Sequence, residues 1–139
     1  MTRFRFNPLT AEFDLVEKIE NSTGVAQEFI VDASSNVGDV VKESLTIDGK
    51  AEVATDNTSI NRAIGVIIEK LTLTTAVVKT LGEVDGFSGL TKGLEVFLST
   101  GGSFTSTPPA TGYVQIMGFA TSATKVYLEP GNFRAKRTP

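Results

Sequence analysis

Short runs rich in Val, Ile and Thr, each closed by Gly, Asn or Asp signals, recur from about residue 26 to residue 128. Forty of the 139 residues belong to these three β-branched types. Such side chains lose rotamer freedom in a helix and fit a pleated surface. Short strands punctuated by turns imply an all-β barrel or sandwich. The length is that of one ordinary domain, enough to build a real core.

The pattern places strands at Ala26–Val31, within Gly38–Ile47, and at Ala51–Ala54, with Asp48-Gly49 as a two-residue hairpin turn. Arg62–Glu69 is the most apolar segment and is expected to be central and buried on both faces. Gly65 within it signals a bulge or a close packing contact. Leu71–Leu81 is expected to be one strand bent at Thr74-Thr75, followed by a turn over Gly82–Gly89. Leu94–Leu98, Thr111–Ala120 and Lys125–Leu128 complete the strands. In the second of these, Val114, Ile116, Gly118 and Ala120 are expected on one face and Tyr113, Gln115, Met117 and Phe119 on the other.

The ends differ from the middle. Leu9, Phe13, Val16 and Ile19 have helical spacing after Asn7-Pro8, yet Phe4/Phe6 and Phe13/Leu15 alternate as in extended chain. We read residues 1–20 as an extended N-terminal arm, 21–130 as the β domain, and 131–139 as a C-terminal tail without strand pattern. Five of the 13 basic residues lie in residues 1–6 and 131–139: Arg3, Arg5, Arg134, Lys136 and Arg137. No acid occurs in residues 1–6 or 131–139, so the body is acidic and the extremities are cationic. Such asymmetry suits ends that touch something other than what the body faces, or simply solvated termini.

The composition removes several chemistries. With no histidine and no cysteine there is no Ser-His-Asp triad, no thiol catalysis and no His or Cys zinc site. Glu83 and Asp85 form the nearest thing to a carboxylate pair, but acids so close along a chain read first as solvated turn residues. Gly89-Leu90-Thr91-Lys92-Gly93 lacks the ending of a phosphate loop, and Asp56–Asn61 lacks the spacing and closing Glu of a calcium loop. The acidic body disfavours nucleic-acid backbones, and no apolar run approaches a membrane span. The reading is a non-enzymatic protein with no catalytic, cofactor-binding or metal residues and no small-molecule substrate.

Ala63-Ile64-Gly65-Val66-Ile67, Val84–Gly93, Val96–Gly102, Thr107-Pro108-Pro109 and Gly112–Ala120 follow one another in the C-terminal half. In that order they resemble a β-rich module of tailed-bacteriophage virion proteins. The resemblance covers about residues 60–130. In such modules a Leu-Thr-x-Gly turn precedes a strand, a Gly/Thr/Pro hairpin follows, and a Val-Gln-x-x-Gly-x-Ala strand returns. Phe6-Asn7-Pro8-Leu9-Thr10 is similar to a short leader of phage fibre and head proteins, with Ala11 where a glycine often stands.

The resemblance implies a capsid decoration, or cement, protein: a homotrimeric peg on the virion surface, made in the host bacterial cytoplasm, whose partner is the major capsid protein. The interface, to capsid or between protomers, is then expected at Arg3, Phe4, Arg5, Phe6, Phe13, Tyr113, Met117, Phe119, Arg134, Lys136 and Arg137. Intradomain core is the plain alternative for Tyr113, Met117 and Phe119. Two rival readings stand beside it. One is a fibre or baseplate module binding host glycans through the loop at Ser99–Thr111, or joining other virion proteins. The other is a hydrolase built on Glu83 and Asp85.

Overall fold

The structure, a computed structural model, describes residues 24–58 and 61–130, together with the backbone of residues 134–137. Among these residues there is no helix, and the chain is all-β as the residue types require. Its strands are β1 (Val25–Ile30), β2 (Val40–Glu43), β3 (Ala51–Val53), β4 (Ala63–Thr72), β5 (Thr75–Asp85), β6 (Glu95–Leu98), β7 (Phe104–Thr105), β8 (Gly112–Ala120), β9 (Lys125–Leu128) and β10 (Arg134–Arg137).

All strand pairings are antiparallel, and the order is β3-β2-β4-β5-β9-β8-β6-β7, with β1 on β5 and β10 on β8. Strand β5 belongs to two sheets. Its residues 75–81 pair with β1, and its residues 82–85 pair with β9. The first sheet, β1, β5, β4, β2 and β3, curls until Ile30 meets Lys50 in a parallel bridge, with Ile30 N donating to Gly49 O at 2.9 Å. The second sheet consists of the end of β5 with β9, β8, β6 and β7.

Two apolar cores result. Phe29, Val31, Val41, Ala51, Ile67, Ala76 and Val78 fill the curl of the first sheet. Val40, Val66, Val84, Leu90, Val96, Leu98, Phe104, Met117, Val126 and Leu128 pack into the second core, which takes in residues of both sheets. Adjacent residues divide between the two: Val40 and Val66 serve one core, Val41 and Ile67 the other. Strands β2 and β4 are therefore a shared wall, and β4 is buried on both faces over its first half, as its unbroken apolar run requires. Gly65 is there for clearance, because a Cβ at that position would stand 2.1 Å from Lys79 O.

Several expectations are corrected. Leu71–Leu81 is two strands: the chain reverses at Leu73-Thr74, between Thr72 and its partner Thr75. The turn is held by a 2.7 Å hydrogen bond between the Thr72 and Thr75 hydroxyls, a local contact that apolar periodicity does not report. Gly82 lies within β5, so the expected turn begins only after Asp85. Asp48-Gly49 is the end of a longer connection, since Glu43 pairs with Ala51 and Ser44 N donates to Lys50 O. Residues 134–137 form a strand on β8 where a patternless tail was expected.

Candidate interaction surface

Strand β8 does not keep one alternation along its length. Val96 pairs with Gly118 and Phe97 with Ile116, which leaves Met117 as an extra residue in the β6–β8 ladder. This bulge changes which residues share a face. Gln115, Met117 and Ala120 point into the molecule, while Ile116 and Phe119 point out. The expected grouping of Met117 with Phe119 is thus overturned. Met117 is fully buried in the core between the sheets and offers no surface to a partner, whereas Phe119 is 41% exposed.

The outward face of the second sheet carries an ordered row. Phe119 pairs across the ladder with Tyr127, and their rings stack with centroids 5.5 Å apart. On the far side of Phe119 its partner is Glu95, and on the far side of Tyr127 the partner is Glu83. The four strands thus present Glu95, Phe119, Tyr127 and Glu83 side by side. Ile116, 40% exposed, lies next to Phe119 on the same face. Glu83 accepts a 2.8 Å hydrogen bond from the Thr121 hydroxyl. Among the described residues neither carboxylate forms an ion pair.

Of the other expected interface residues, Arg3, Phe4, Arg5, Phe6 and Phe13 lie outside the described residues. Tyr113 is half-buried near the start of β8, where its backbone N donates to Asn57 O at 2.9 Å. The backbone of Arg134, Lys136 and Arg137 pairs with Gln115, Tyr113 and Gly112. Strand β10 therefore extends along β8 in the direction already taken by β9. The structure brings these three residues and Tyr113 together in one ladder but places them at the opposite end of β8 from Phe119.

The loop at Ser99–Thr111 is not a projecting tip. The Ser99 hydroxyl accepts from Gly101 N and Ser103 N, at 3.2 and 3.1 Å, closing a tight turn. That turn presses on the β3–β4 connection so closely that a Cβ on Gly102 would stand 2.0 Å from Ala54 O. Phe104 enters the core and packs on Phe87 at 4.7 Å, and Pro109 is buried. Sequence reasoning missed the two buried amides that fix the other side of this segment. Asn57 donates to the carbonyls of Thr111 and Tyr113, at 2.7 and 3.1 Å. Gln115 accepts from Ala63 N at 3.0 Å and donates to Ala63 O at 2.8 Å. The available signal for the latter was a lone amide inside an apolar strand.

Glu83 and Asp85 are successive outward residues of one strand, each occupied locally: Asp85 accepts from Gly86 N at 2.7 Å. Among the described residues, clefts of about 280 and 290 Å³ indent the body. The first lies between the Gly101–Ser103 turn and Val53–Thr55, and the second is bordered by Phe29, Glu43, Arg62 and Pro130. Neither contains Glu83 or Asp85. Among the described residues no three acids gather in a way that could hold a metal ion, and no helix is long and apolar enough to cross a membrane. No protein-family model matches this chain, and no curated protein matches it.

Proposed function

We propose that this chain is a structural virion protein of a tailed bacteriophage, which binds the capsid and stabilises it through protein–protein contacts. The observation that carries this reading is the outward row Glu95–Phe119–Tyr127–Glu83 with Ile116 beside it. It is an aromatic, carboxylate-flanked stripe on a sheet braced from within by the hydrogen-bonded buried amides of Asn57 and Gln115. Such a surface suits gripping another polypeptide and brings no reacting group with it. The order of turn and strand motifs over residues 60–130, similar to phage virion modules, supports the same reading. So does the N-terminal arm with its cationic start, whose Arg3, Phe4, Arg5, Phe6 and Phe13 would anchor on capsid subunits.

A homotrimer bound to the major capsid protein on the virion surface is the assembly proposed. Binding many capsid sites in the assembled shell, and not in the free subunits, stabilises the shell by mass action. The test is binding of the purified protein to preformed expanded capsids. Saturable binding is expected, with a strong loss on deleting residues 1–20. Absence of saturable binding removes the capsid reading, and unchanged binding by the shortened chain removes the arm from it. The mass of the purified particle in solution checks the trimer.

A further inference from the structure

The geometry points to the closed end of the β4–β5 hairpin, with Ile30 beside it, as the surface on which a second copy of this chain docks. Ala76 and Val78 turn into the core of the first sheet, so Thr75 and Val77 turn to its other face. There Thr75 stands between its cross-strand partners Ile30 and Thr72, and Val77 stands between Glu28 and Glu69. The register of the hairpin slips twice, between Ile67 and Glu69 and between Lys70 and Thr72. Each slip leaves an extra residue in β4, and both extra residues, Ile68 and Leu71, are large, apolar and exposed. Bulges serve to re-aim side chains, and two in one hairpin that both turn an aliphatic group to solvent make a built feature. Leu73 in the turn is 70% exposed, and Ile30 is 47% exposed.

The hairpin end is also held still. The Thr72 and Thr75 hydroxyls bond to each other, and Thr74 N donates to the Thr72 hydroxyl at 3.3 Å. Val31 N donates to Thr74 O at 2.9 Å from the β1 side. From the β4 side, Lys70 Nζ donates to Ser35 O at 2.8 Å. Leucines on a braced turn lose little freedom when they dock.

Two arguments favour a copy of the chain as the occupant. The first is charge. Ile30, Leu71, Thr72, Leu73, Thr74 and Thr75 carry none, and Glu28 and Glu69 lie one row further along the strands, roughly 7 Å away. A neutral apolar patch is complementary to itself and calls for no cationic or anionic partner. The second is area. A standard contact buries about 800 Å² from each partner, a little over half of it apolar, or about 450 Å². Ile30, Ile68, Leu71 and Leu73, each open by 41% or more, form a patch in the range of roughly 300–600 Å² that is the largest on an ordinary monomer. The hairpin end is also remote from the aromatic row of the second sheet: Thr75 and Glu83 are eight residues apart on β5, roughly 26 Å. Copies joined here keep that row open. The inference rests on the homo-oligomer proposed above and names where its protomers meet.

The test is the solution mass of the full chain and of the double variant Leu71→Glu/Leu73→Glu, by sedimentation. The unsubstituted chain is expected as an oligomer. The variant is expected at the 14.8 kDa of one chain, with an unchanged urea midpoint and at least tenfold weaker association. An unsubstituted chain that is itself monomeric removes the oligomer reading and this contact with it. A folded variant of unchanged mass overturns the contact alone, and loss of its capsid binding would then assign the patch to the capsid. Should the double variant fail to fold, the absence of cysteine supplies a second reading. Leu73→Cys is compared with Leu94→Cys, 49% exposed next to β6, for chain-to-chain coupling by a short bis-maleimide at equal protein concentration. Coupling at position 73 is expected to be at least tenfold faster, and equal rates would refute the docking.

Discussion

Gln115 occupies a position that most strands reserve for an apolar side chain, and it is fully buried there. Its carboxamide addresses both backbone groups of Ala63, as the edge of another strand would. Removing one partner of a buried pair costs more than the bond itself contributes, because the other group loses water and gains nothing. Gln115→Leu leaves two buried backbone groups of Ala63 without their partner. At roughly 1–3 kcal/mol for each, the expected loss is about 2–6 kcal/mol, read as a lower urea midpoint with unchanged slope. Asp56 illustrates the exposed counterpart. Its carboxylate accepts from Thr58 N at 2.9 Å and from the Thr58 hydroxyl at 2.8 Å. The backbone N–H of Thr58, then its hydroxyl, and more weakly the charge of Lys42, hold Asp56 below its ordinary value. A depressed folded value means that the charged form supports the fold above the unfolded carboxylate range and that this support is lost as pH falls through the folded value. The Thr58 amide is therefore expected to exchange faster in acid than at neutral pH once intrinsic exchange is divided out. Asp56→Ala should abolish that difference.

Elements were legible where one side of the pairing carried its own pattern. Strand β4 announces itself because both of its faces are apolar, and β9 because Val126 and Leu128 alternate with Lys125 and Tyr127. The outward aromatic row was not legible. It depends on the bulge at Met117, and a bulge is set by the partner strand β6, not by the sequence of β8. Alternation alone put Met117 with Phe119 and Ile116 with Ala120. Tyr127 joined the row only once its cross-strand partner was known. Strand β10 was hidden for a related reason: Arg-Ala-Lys-Arg has no apolar face, and its order comes from the open edge of β8. Tyr113 directs its N–H toward Asn57, so strand alternation turns the N–H of Val114 toward β10. Deleting residues 134–139 should accelerate hydrogen exchange at Val114, on the order of tenfold or more, and leave Tyr113 protected by Asn57. Equal acceleration at both amides would mean that β10 holds the whole start of β8 in place.

At the scale of the molecule, the question is whether two sheets with two cores behave as one folding unit. Strands β2 and β4 contribute to both cores with consecutive residues, and β5 runs from the first sheet into the second. A defect in either core must therefore move a wall of the other, because packed interiors transmit displacement instead of absorbing it. The sequence places a convenient reporter: both tyrosines, Tyr113 and Tyr127, lie in the second sheet, and there is no tryptophan to mask them. Ile67 is fully buried in the core of the first sheet, while its neighbour Val66 belongs to the core between the sheets. Ile67→Ala should cost about 2–5 kcal/mol. If the wall couples the sheets, urea unfolding followed by tyrosine emission and by far-ultraviolet circular dichroism gives one shared midpoint, lowered equally in both signals. Val66→Ala should shift the two together as well, by a smaller amount since fewer atoms are removed. A tyrosine midpoint that stays at its original value while the dichroism midpoint falls in Ile67→Ala would show that the second sheet stands without the first. The outward aromatic row would then rest on an independent platform.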